Sequence, residues 1–442
     1  MASPAPFKGI GEALAWLDSL IDYERQVPDR RALPSLDGMR ELTTMLASPE
    51  DELRVLHITG TNGKGSTAAM ATALLVAKGF RVGTYTSPNL ERINERIALN
   101  GEPIPDADLV DALGAVMLAA STIEHSVTRF EALTAAALWW FADLGVEVAV
   151  VEVGMGGSFD CTNVVTAEVA VITSVALDHV EVLGRSEAEI AADKAGISEP
   201  GAALVVGSVD AQARAAIAEV AGARGAAPIS WLGEQVVVTG NQLAVGGRLV
   251  SVATPYGDHE DLLLPLHGAH QAENLAIAIA AVEAMCTEPL AEEVLADALA
   301  DLEVPGRLEV LSHRPLVVLD GAHNPAGMAR LAEALAEAFA VEGERRLVVG
   351  MLEGRDPAEM LAPLADLGFS EVVACAPSSP RAMAAGRVGE AAAQVLDVDV
   401  TVADSVADAV AIAMAHAEGE DLVVVAGSFY VVGDARAQLR QP

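Results

Sequence analysis

The sequence predicts an α/β protein with two parallel-sheet units and a small β subregion. Short runs rich in Val, Ile and Leu alternate with stretches of helical length along most of the 442 residues, which is the pattern of strands joined by crossover helices. The alternation gives way over residues 229–267 to short β-prone runs separated by turns. It stops at Pro305 and Gly306, which break a helix, and then restarts. We therefore predict a first domain over residues 1–302 and a second, Rossmann-like domain over residues 303–442.

The periodicity of the apolar residues places the elements of the first domain. Helical spacing predicts helices over residues 8–27 and 36–46, and further helices at about 106–124, 129–143 and 186–197. Between these helices, continuous apolar runs predict buried parallel strands. In the second domain the same alternation predicts strands in five apolar runs, which begin near residues 315, 345, 371, 400 and 421.

A glycine-rich loop joins the first strand to a helix that we predict to begin at Ser66, in the stretch VLHITGTNGKGS. Three glycines allow the backbone to turn tightly and to present N–H groups to an anion: Gly60, Gly63 and Gly65. Lys64 adds a positive charge suited to phosphate oxygens. The loop departs from the general Walker pattern, because a glycine follows Lys64 and Ile58 stands where an earlier glycine is required. On local sequence alone, a plain glycine turn is the alternative.

Polar residues follow three further apolar strands at the points where the strands end. These residues are Ser87, Glu152 and His179. Because ligands bind at the carboxyl ends of the strands of a parallel sheet, we expect the three side chains to converge beside the glycine loop. Taken singly, His179 would more often be a structural histidine and Glu152 a surface carboxylate.

Composition argues against several classes of partner. With 27 Lys and Arg against 63 Asp and Glu, the net charge is −36, which disfavours nucleic acid and anionic membranes as partners. Three widely spaced cysteines, Cys161, Cys286 and Cys375, form neither a disulfide framework nor a zinc pattern, so a reducing cytoplasm is expected. We also expect no secretory signal and no membrane span.

Ten short motifs occur along nearly the whole chain in a fixed order. They are HITGTNGKGS (57–66), TSPNL (86–90), VEVGMGG (151–157), DCTNVV (160–165), TSVALDHVEVLG (173–184), DKAGI (193–197), HQAENLAIAIAA (270–281), PGRLEV (305–310), LDGAHNP (319–325) and GSFYVVG (427–433). As a set they resemble the folylpolyglutamate synthase and dihydrofolate synthase family, a branch of the Mur ligases. The resemblance implies a P-loop ATPase domain of the Mur ligase central-domain type, followed by a Rossmann-like glutamate ligase domain.

The resemblance also implies a reaction. A carboxylate of dihydropteroate or folate would take the γ-phosphoryl group of ATP to give an acyl phosphate, which the amino group of L-glutamate would attack. Two Mg²⁺ ions would assist this transfer between anions. From the resemblance we further expect a cytoplasmic protein that acts as a monomer on small molecules.

Site residues follow from the same motifs. The residues implied to bind ATP are Thr61, Asn62, Gly63, Lys64, Gly65, Ser66, Asn274, Arg307, Asp320 and His323, and those implied to bind metal are Ser87, Glu152 and His179. Lys64, Lys194 and His179 would be catalytic, and Lys194 matches a lysine that the family carbamylates, although by itself it would be an ordinary helix lysine. The implied substrate contacts are Thr128, Phe130, Glu131, Ser158, Phe159 and Asp160.

The chain departs from the family pattern on the substrate side. Family members commonly have His at the position of Asn89, an aromatic residue at that of Arg129 and Arg at that of Ser158. Two alternatives therefore stay open at this point. One is the same ligase chemistry on a carboxylate other than folate, and the other is a nucleotide-binding regulatory protein that joins nothing.

Overall fold

The computed structural model describes residues 6–24 and 35–440. The helix predicted over residues 8–27 is shorter than expected, since it spans Ile10–Ser19. Leu20 already has an extended backbone, and the last three residues of the predicted helix lie outside the described part of the chain.

Eight strands among the described residues form the sheet of the first domain. They are β1 (Arg54–Thr59), β2 (Val82–Tyr85), β3 (Ile97–Leu99), β4 (Glu102–Pro103), β5 (Val148–Glu152), β6 (Ala167–Ser174), β7 (Ala203–Ser208) and β8 (Ile229–Trp231). Their order in the sheet is β4-β3-β2-β5-β1-β6-β7-β8. β2, β5, β1, β6, β7 and β8 run parallel, and β3 and β4 add an antiparallel edge. The central strands are buried almost throughout, as their continuous apolar sequences require.

Ten helices of the described chain surround this sheet. They are α1 (Ile10–Ser19), α2 (Leu36–Met45), α3 (Lys64–Ala77), α4 (Asp106–Ala120), α5 (Arg129–Asp143), α6 (Val180–Leu183), α7 (Glu187–Lys194), α8 (Ala211–Arg224), α9 (His270–Cys286) and α10 (Glu292–Ala300). α3 and α9 contribute to one core, and α4 and α5 to another. α3 begins two residues before the predicted Ser66, because Gly63 has a left-handed backbone (φ 88°) that ends the loop there.

A small antiparallel sheet confirms the predicted β subregion but is shorter than expected. It consists of β9 (Val237–Ala244), β10 (Gly247–Ala253) and β11 (Asp258–Leu264), in the order β11-β10-β9. The run at 229–231 does not belong to this subregion, contrary to prediction, and pairs with β7 as the last strand of the large sheet.

The second domain has the predicted Rossmann-like alternation. Its described strands are β12 (Glu309–His313), β13 (Leu316–Leu319), β14 (Arg345–Val349), β15 (Glu371–Ala374), β16 (Val400–Val402) and β17 (Leu422–Ala426). The order is β12-β13-β17-β14-β15-β16, and only β12, which was not predicted, is antiparallel. Its helices are α11 (Pro325–Ala338), α12 (Pro357–Leu361), α13 (Ala385–Leu396), α14 (Val406–His416) and α15 (Phe429–Leu439). Across the described chain, every helix is too short or too polar to span a bilayer.

Candidate active site

The carboxyl edges of the two parallel sheets face each other across one pocket. The first domain lines it with the glycine loop after β1 and with residues that follow β2, β5 and β6, and the second with residues that follow β13, β14, β15 and β17. The predicted residues on its wall are Thr61, Asn62, Gly63, Lys64, Ser87, Thr128, Phe130, Glu131, Glu152, Phe159, Asp160, His179, Lys194, Arg307 and His323. The expected convergence of strand ends is therefore observed.

The glycine loop is held in shape by close contacts with its neighbours. A Cβ atom on Gly63 would lie 2.6 Å from Oδ1 of Asn274, and Gly63 also has a positive φ. A Cβ atom on Gly60 would lie 1.9 Å from Oγ1 of Thr173. Both positions therefore require glycine for space as well as for backbone conformation.

Two lysine side chains meet at the carbonyl oxygen of Gly60. The ammonium of Lys64 donates to it at 3.1 Å, and that of Lys194 donates at 2.9 Å. Burial, and after it the charge of Lys64, lower the pKa of Lys194 to about 7. A lysine with this pKa is partly neutral near physiological pH.

Glu152 and Ser87 are in contact. The backbone N–H of Ser87 donates to Oε2 of the buried Glu152 at 3.3 Å. Burial raises the pKa of Glu152, and the charge of Lys64 offsets part of that rise. A hydroxyl and a carboxylate are hard oxygen ligands of the kind that Mg²⁺ prefers.

His179 lies at the start of α6 with a left-handed backbone (φ 50°). Burial lowers the pKa of its imidazole, so the ring is neutral and able to accept a cation at neutral pH. The described residues contain no cluster of three or more His, Cys, Asp or Glu side chains that could hold a metal alone. The donor set suits an ion that takes its remaining ligands from phosphate and water.

Several residues predicted to bind nucleotide lie behind the residues that line the pocket. Asn274 packs against Gly63, and Ser66 accepts a hydrogen bond from Gln271 at 3.5 Å. Gly65 lies near Glu152. The carboxylate of Asp320 accepts N–H groups of Leu308 and Ala322 at 3.0 and 2.8 Å, which ties the linker to the loop after β13.

Arg307 and His323 lie on the wall itself. The guanidinium of Arg307 lies over the ring of Phe429, 4.0 Å from its centroid. Nδ1 of His323 is 2.9 Å from the carbonyl oxygen of Gly321, and burial lowers the pKa of His323 to about 4. An arginine held against an aromatic ring keeps its planar fork available for a phosphate or carboxylate.

On the side of the pocket that the sequence predicts to bind substrate, two of the predicted carboxylates also build local structure. Glu131 accepts from the backbone N–H and the hydroxyl of Thr128, both at 2.8 Å, in a capping box at the start of α5. Asp160 accepts from the N–H groups of Met155 and Thr162 at 2.9 and 3.0 Å. These bonds shape the loops that bear them.

The two aromatic residues on this side differ in burial. Phe130 packs beside Tyr85, with ring centroids 5.9 Å apart. Phe159 is 58% exposed although it lines the pocket. An exposed ring on a pocket wall offers a flat apolar surface to an aromatic substrate.

Each of the three residues that depart from the family pattern contacts another polar group in the structure. The hydroxyl of Ser158 donates to the carbonyl oxygen of Asp193 at 2.9 Å, which supports the turn that carries Lys194. Oδ1 of Asn89 accepts from Nε of Arg96 at 2.8 Å. Arg129 lies 3.5 Å from the carboxylate of Asp18 and 3.9 Å from that of Glu24.

Sequence analysis missed several polar or charged residues that line the pocket or bridge the two domains. Among them are Tyr23, Glu24, Asp178, Asn324, Arg355 and Arg381. Asp178 and Asn324 adjoin predicted site residues within motifs already noted. The two arginines follow strands β14 and β15, and the rule of carboxyl strand ends, applied to the second sheet, would have found them. Tyr23 and Glu24 gave no local signal.

Two family models match the chain. The Mur ligase middle domain matches residues 58–282, and the Mur ligase glutamate ligase domain matches residues 306–429. Fold and site thus define a Mur-type ligase.

Comparisons with individual proteins narrow this class. The chain is 37% identical to the folylpolyglutamate synthase of Lacticaseibacillus casei over 435 residues, which are 95% of this chain and 99% of that one. It superposes on the Mycobacterium tuberculosis folylpolyglutamate synthase complexed with ADP with a TM-score of 0.90, at 34% identity and 98% coverage of both chains.

A bifunctional relative is also similar. The chain matches the folylpolyglutamate synthase/dihydrofolate synthase of Yersinia pestis, complexed with AMPPNP and Mn, with a TM-score of 0.85, 30% identity, and 99% and 100% coverage. The chain belongs to the folylpolyglutamate synthase and dihydrofolate synthase family.

Proposed function

We propose that this protein is an ATP-dependent ligase that adds L-glutamate to dihydropteroate, to the glutamate of a reduced folate, or to both. One observation carries the proposal: Lys64, Ser87, Glu152 and His179 lie on one pocket that the second domain completes. Membership of the family supplies the substrate class.

The reaction would run in two steps. A carboxylate oxygen of the acceptor attacks the γ-phosphorus of ATP, the bond to the bridging oxygen breaks, and ADP leaves. The amino nitrogen of L-glutamate then attacks the acyl carbon, phosphate leaves with the bonding electrons, and the nitrogen loses a proton. Transfer between anions needs charge neutralisation more than acid–base help.

Lys64 and the N–H groups of the glycine loop would hold the β- and γ-phosphates, together with Thr61, Asn62 and Ser66. Arg307, Asp320, His323 and Asn274 would complete the nucleotide site. Ser87 and Glu152 would hold one Mg²⁺ and His179 a second, and the positive charge of the ions would offset that of the phosphate oxygens.

Lys194 would act as its carbamate. Its neutral amine would attack carbon dioxide, forming an N–C bond and releasing a proton, which turns a cation into an anion beside the metal site. The pKa of about 7 supports this step, because the neutral amine is available under mild conditions.

The acceptor would occupy the side of the pocket formed by Thr128, Phe130, Glu131, Ser158, Phe159 and Asp160. Here we propose that Phe159 packs against the aromatic part of the acceptor. We also propose the domain boundary near residue 302, a cytoplasmic location and a monomeric state.

An acceptor panel tests the proposal. Purified protein with ATP, Mg²⁺ and L-glutamate is offered dihydropteroate, tetrahydrofolate monoglutamate or unrelated carboxylic acids, and both ADP and the amide product are measured. Turnover that requires a folate-type acceptor and glutamate is expected. ATP binding without turnover would support the regulatory alternative, and turnover only with a non-folate acid would support the other ligase alternative.

A further inference from the structure

One asparagine of the second domain uses its full hydrogen-bonding capacity, and three of its four hydrogen bonds cross the domain interface. Asn324 is completely buried and caps α11, with Oδ1 accepting the N–H of Gly327 at 2.7 Å. The same Oδ1 accepts from Nδ2 of Asn62 at 3.2 Å. Nδ2 of Asn324 donates to Oδ1 of Asn62 at 3.0 Å and to Oδ2 of Asp178 at 3.1 Å. Two donors and two acceptor positions are all used.

Asp178 is one of the two first-domain partners of Asn324, the other being Asn62. Its Oδ1 accepts the N–H of His179 at 2.8 Å and Nη1 of Arg355 at 3.0 Å. Two of its partners, Asn324 and Arg355, therefore belong to the second domain. The carboxylate is 7% exposed, and a buried carboxylate that loses its partners is costly to leave unpaired. Docking of the second domain satisfies this charge.

The two amides and the carboxylate connect three parts of the machinery. Asn62 lies in the glycine loop, Asp178 holds the backbone of His179, and Asn324 begins a helix of the opposite domain. A change in the position of α11 therefore shifts hydrogen-bond partners on both the loop and the strand end that carries His179. This contact differs from a general interface contact, because each of its first-domain members adjoins a residue of the nucleotide or metal site.

We propose that Asn324 and Asp178 are positioning residues that couple docking of the second domain to the geometry of the glycine loop, so that the acyl phosphate meets the amine rather than water. This inference rests on the proposed function. With the coupling lost, ATP would still be cleaved, but water would add its oxygen to the acyl phosphate, releasing the original acid and phosphate. The net reaction would be ATP plus water giving ADP and phosphate.

The test measures ADP and amide product together in four proteins. D178N leaves one acceptor oxygen where both carboxylate oxygens of Asp178 now accept, so an amide donor faces the donor either of Asn324 or of Arg355. N324D places a carboxylate opposite that of Asp178. The exchange variant D178N/N324D restores a donor facing an acceptor. We expect one ADP per amide in the unmodified protein, a ratio at least about threefold higher in each single variant, and a ratio in the exchange variant closer to one than in either single variant.

A control on the same helix separates this coupling from general loosening of the interface. Glu337, near the far end of α11, pairs with Arg248 of the first domain at 2.8 Å. E337Q should keep one ADP per amide even if it lowers the melting temperature. Loss of packing alone would reduce ADP and amide in proportion, whereas loss of positioning changes their ratio.

Three outcomes would overturn the inference. The single variants could keep one ADP per amide, or the exchange variant could have a ratio as high as the single variants. The ratio of ADP to amide could also rise in E337Q as much as in D178N and N324D. If D178N does not fold, R355Q removes a partner of the same carboxylate and should raise the ratio too.

A readout without turnover keeps the inference separable from the proposed function. Small-angle scattering with a non-hydrolysable ATP analogue should show a larger radius of gyration for D178N and N324D than for E337Q. Absence of turnover in the unmodified protein would count against the proposed function alone, and equal radii would count against the coupling.

Discussion

The two sheet edges that face the pocket supply their side chains in different ways. On the first-domain edge, Ser87 and Glu152 stand at or directly after the ends of buried strands and touch each other. On the second-domain edge, Arg355 and Arg381 lie on loops, which are tied together by the N–H of Glu353 donating to the carbonyl oxygen of Arg381 at 2.8 Å. The strands themselves therefore place the side chains of the first edge.

The partners of the two edges differ as well. Arg355 pairs with Asp178, and a guanidinium N–H of Arg381 donates to the carbonyl oxygen of Glu24 at 3.0 Å. The second edge therefore reaches its observed arrangement through contacts with the first domain. Because the first edge bears Lys64, Ser87 and Glu152, we expect substitutions there to act on phosphate chemistry, and substitutions on the proposed acceptor side of the pocket, such as Phe159, to act on binding.

The largest effect is expected at the glycine loop. Lys64→Ala should lower kcat for ADP release by about 1,000-fold, since it removes a charge aimed at the transferring phosphoryl group. Lys78→Ala, just past the other end of α3, removes a half-buried lysine paired with Glu288 and is the matched control. Steady-state kinetics of both variants measures the loss of kcat, and circular dichroism checks that each variant is folded. Comparable losses in the two variants would contradict the assignment.

A smaller loss is expected from Glu152→Gln, which keeps the size of the side chain but removes a negative charge from the proposed metal site. We expect kcat to fall about 100-fold and the Mg²⁺ concentration for half-maximal rate to rise at least tenfold. Glu168→Gln, at the opposite edge of the same sheet, should change neither quantity. An unaltered Mg²⁺ dependence in Glu152→Gln would remove this residue from the metal site.

Substitutions on the proposed acceptor side of the pocket should change KM rather than kcat. Phe159→Ala removes an exposed ring from the wall, and we expect KM for the folate-type acceptor to rise about tenfold while KM for ATP stays unchanged. Leu243→Ala, an exposed apolar residue on β9, is the control. A fall in kcat at unchanged KM would show that Phe159 contributes to the chemistry instead.

The smallest effect concerns pH and carbon dioxide. The folded pKa of Lys194, about 7, lies below its ordinary value of 10.5, so its neutral form gains population as pH rises through about 7. Adding bicarbonate to carbon-dioxide-depleted protein should therefore raise activity by a few-fold, and more at about pH 8 than at about pH 6. Intact-mass measurement should show the added carbon dioxide.

Lys194→Arg should not respond to bicarbonate, because arginine stays charged. A full response in this variant would mean that bicarbonate acts at another residue.

The lowered pKa of Lys194 also makes the free energy of unfolding depend on pH. Between about pH 7 and pH 10 the unfolded chain binds more protons at this residue than the folded one, so the free energy of unfolding should rise with pH unless the lysine is carbamylated.

Prediction from sequence was most accurate for pocket residues that lie at or just after the end of a strand. The positions of Lys64, Ser87, Glu152 and His179 on one pocket were expected from alternation and from the rule of carboxyl strand ends. Helix ends were less accurate, since the predicted helix at 106–124 ends at Ala120. The roles of individual residues, including Lys194, stay predictions.

Contacts between residues far apart in the chain could not be predicted in this way. Arg96 holds Glu24 through two hydrogen bonds of 2.7 Å, although 72 residues separate them. Asn324 and Asn62 are 262 residues apart. No local pattern encodes such pairs, because each depends on how two completed elements dock.

By itself the sequence determined the α/β class, the glycine loop and the set of side chains at the first sheet edge, because strand periodicity and glycine conformation act over a few residues. Only the tertiary structure decided that Asn324 and Arg355 of the second domain close on Asp178, and that Lys194 shares a carbonyl with Lys64. The contacts of Asp178 depend on the relative placement of the two domains, and the shared carbonyl depends on how the helix that ends at Lys194 packs against the glycine loop and buries that lysine. Burial, in turn, lowers the pKa of Lys194 to about 7.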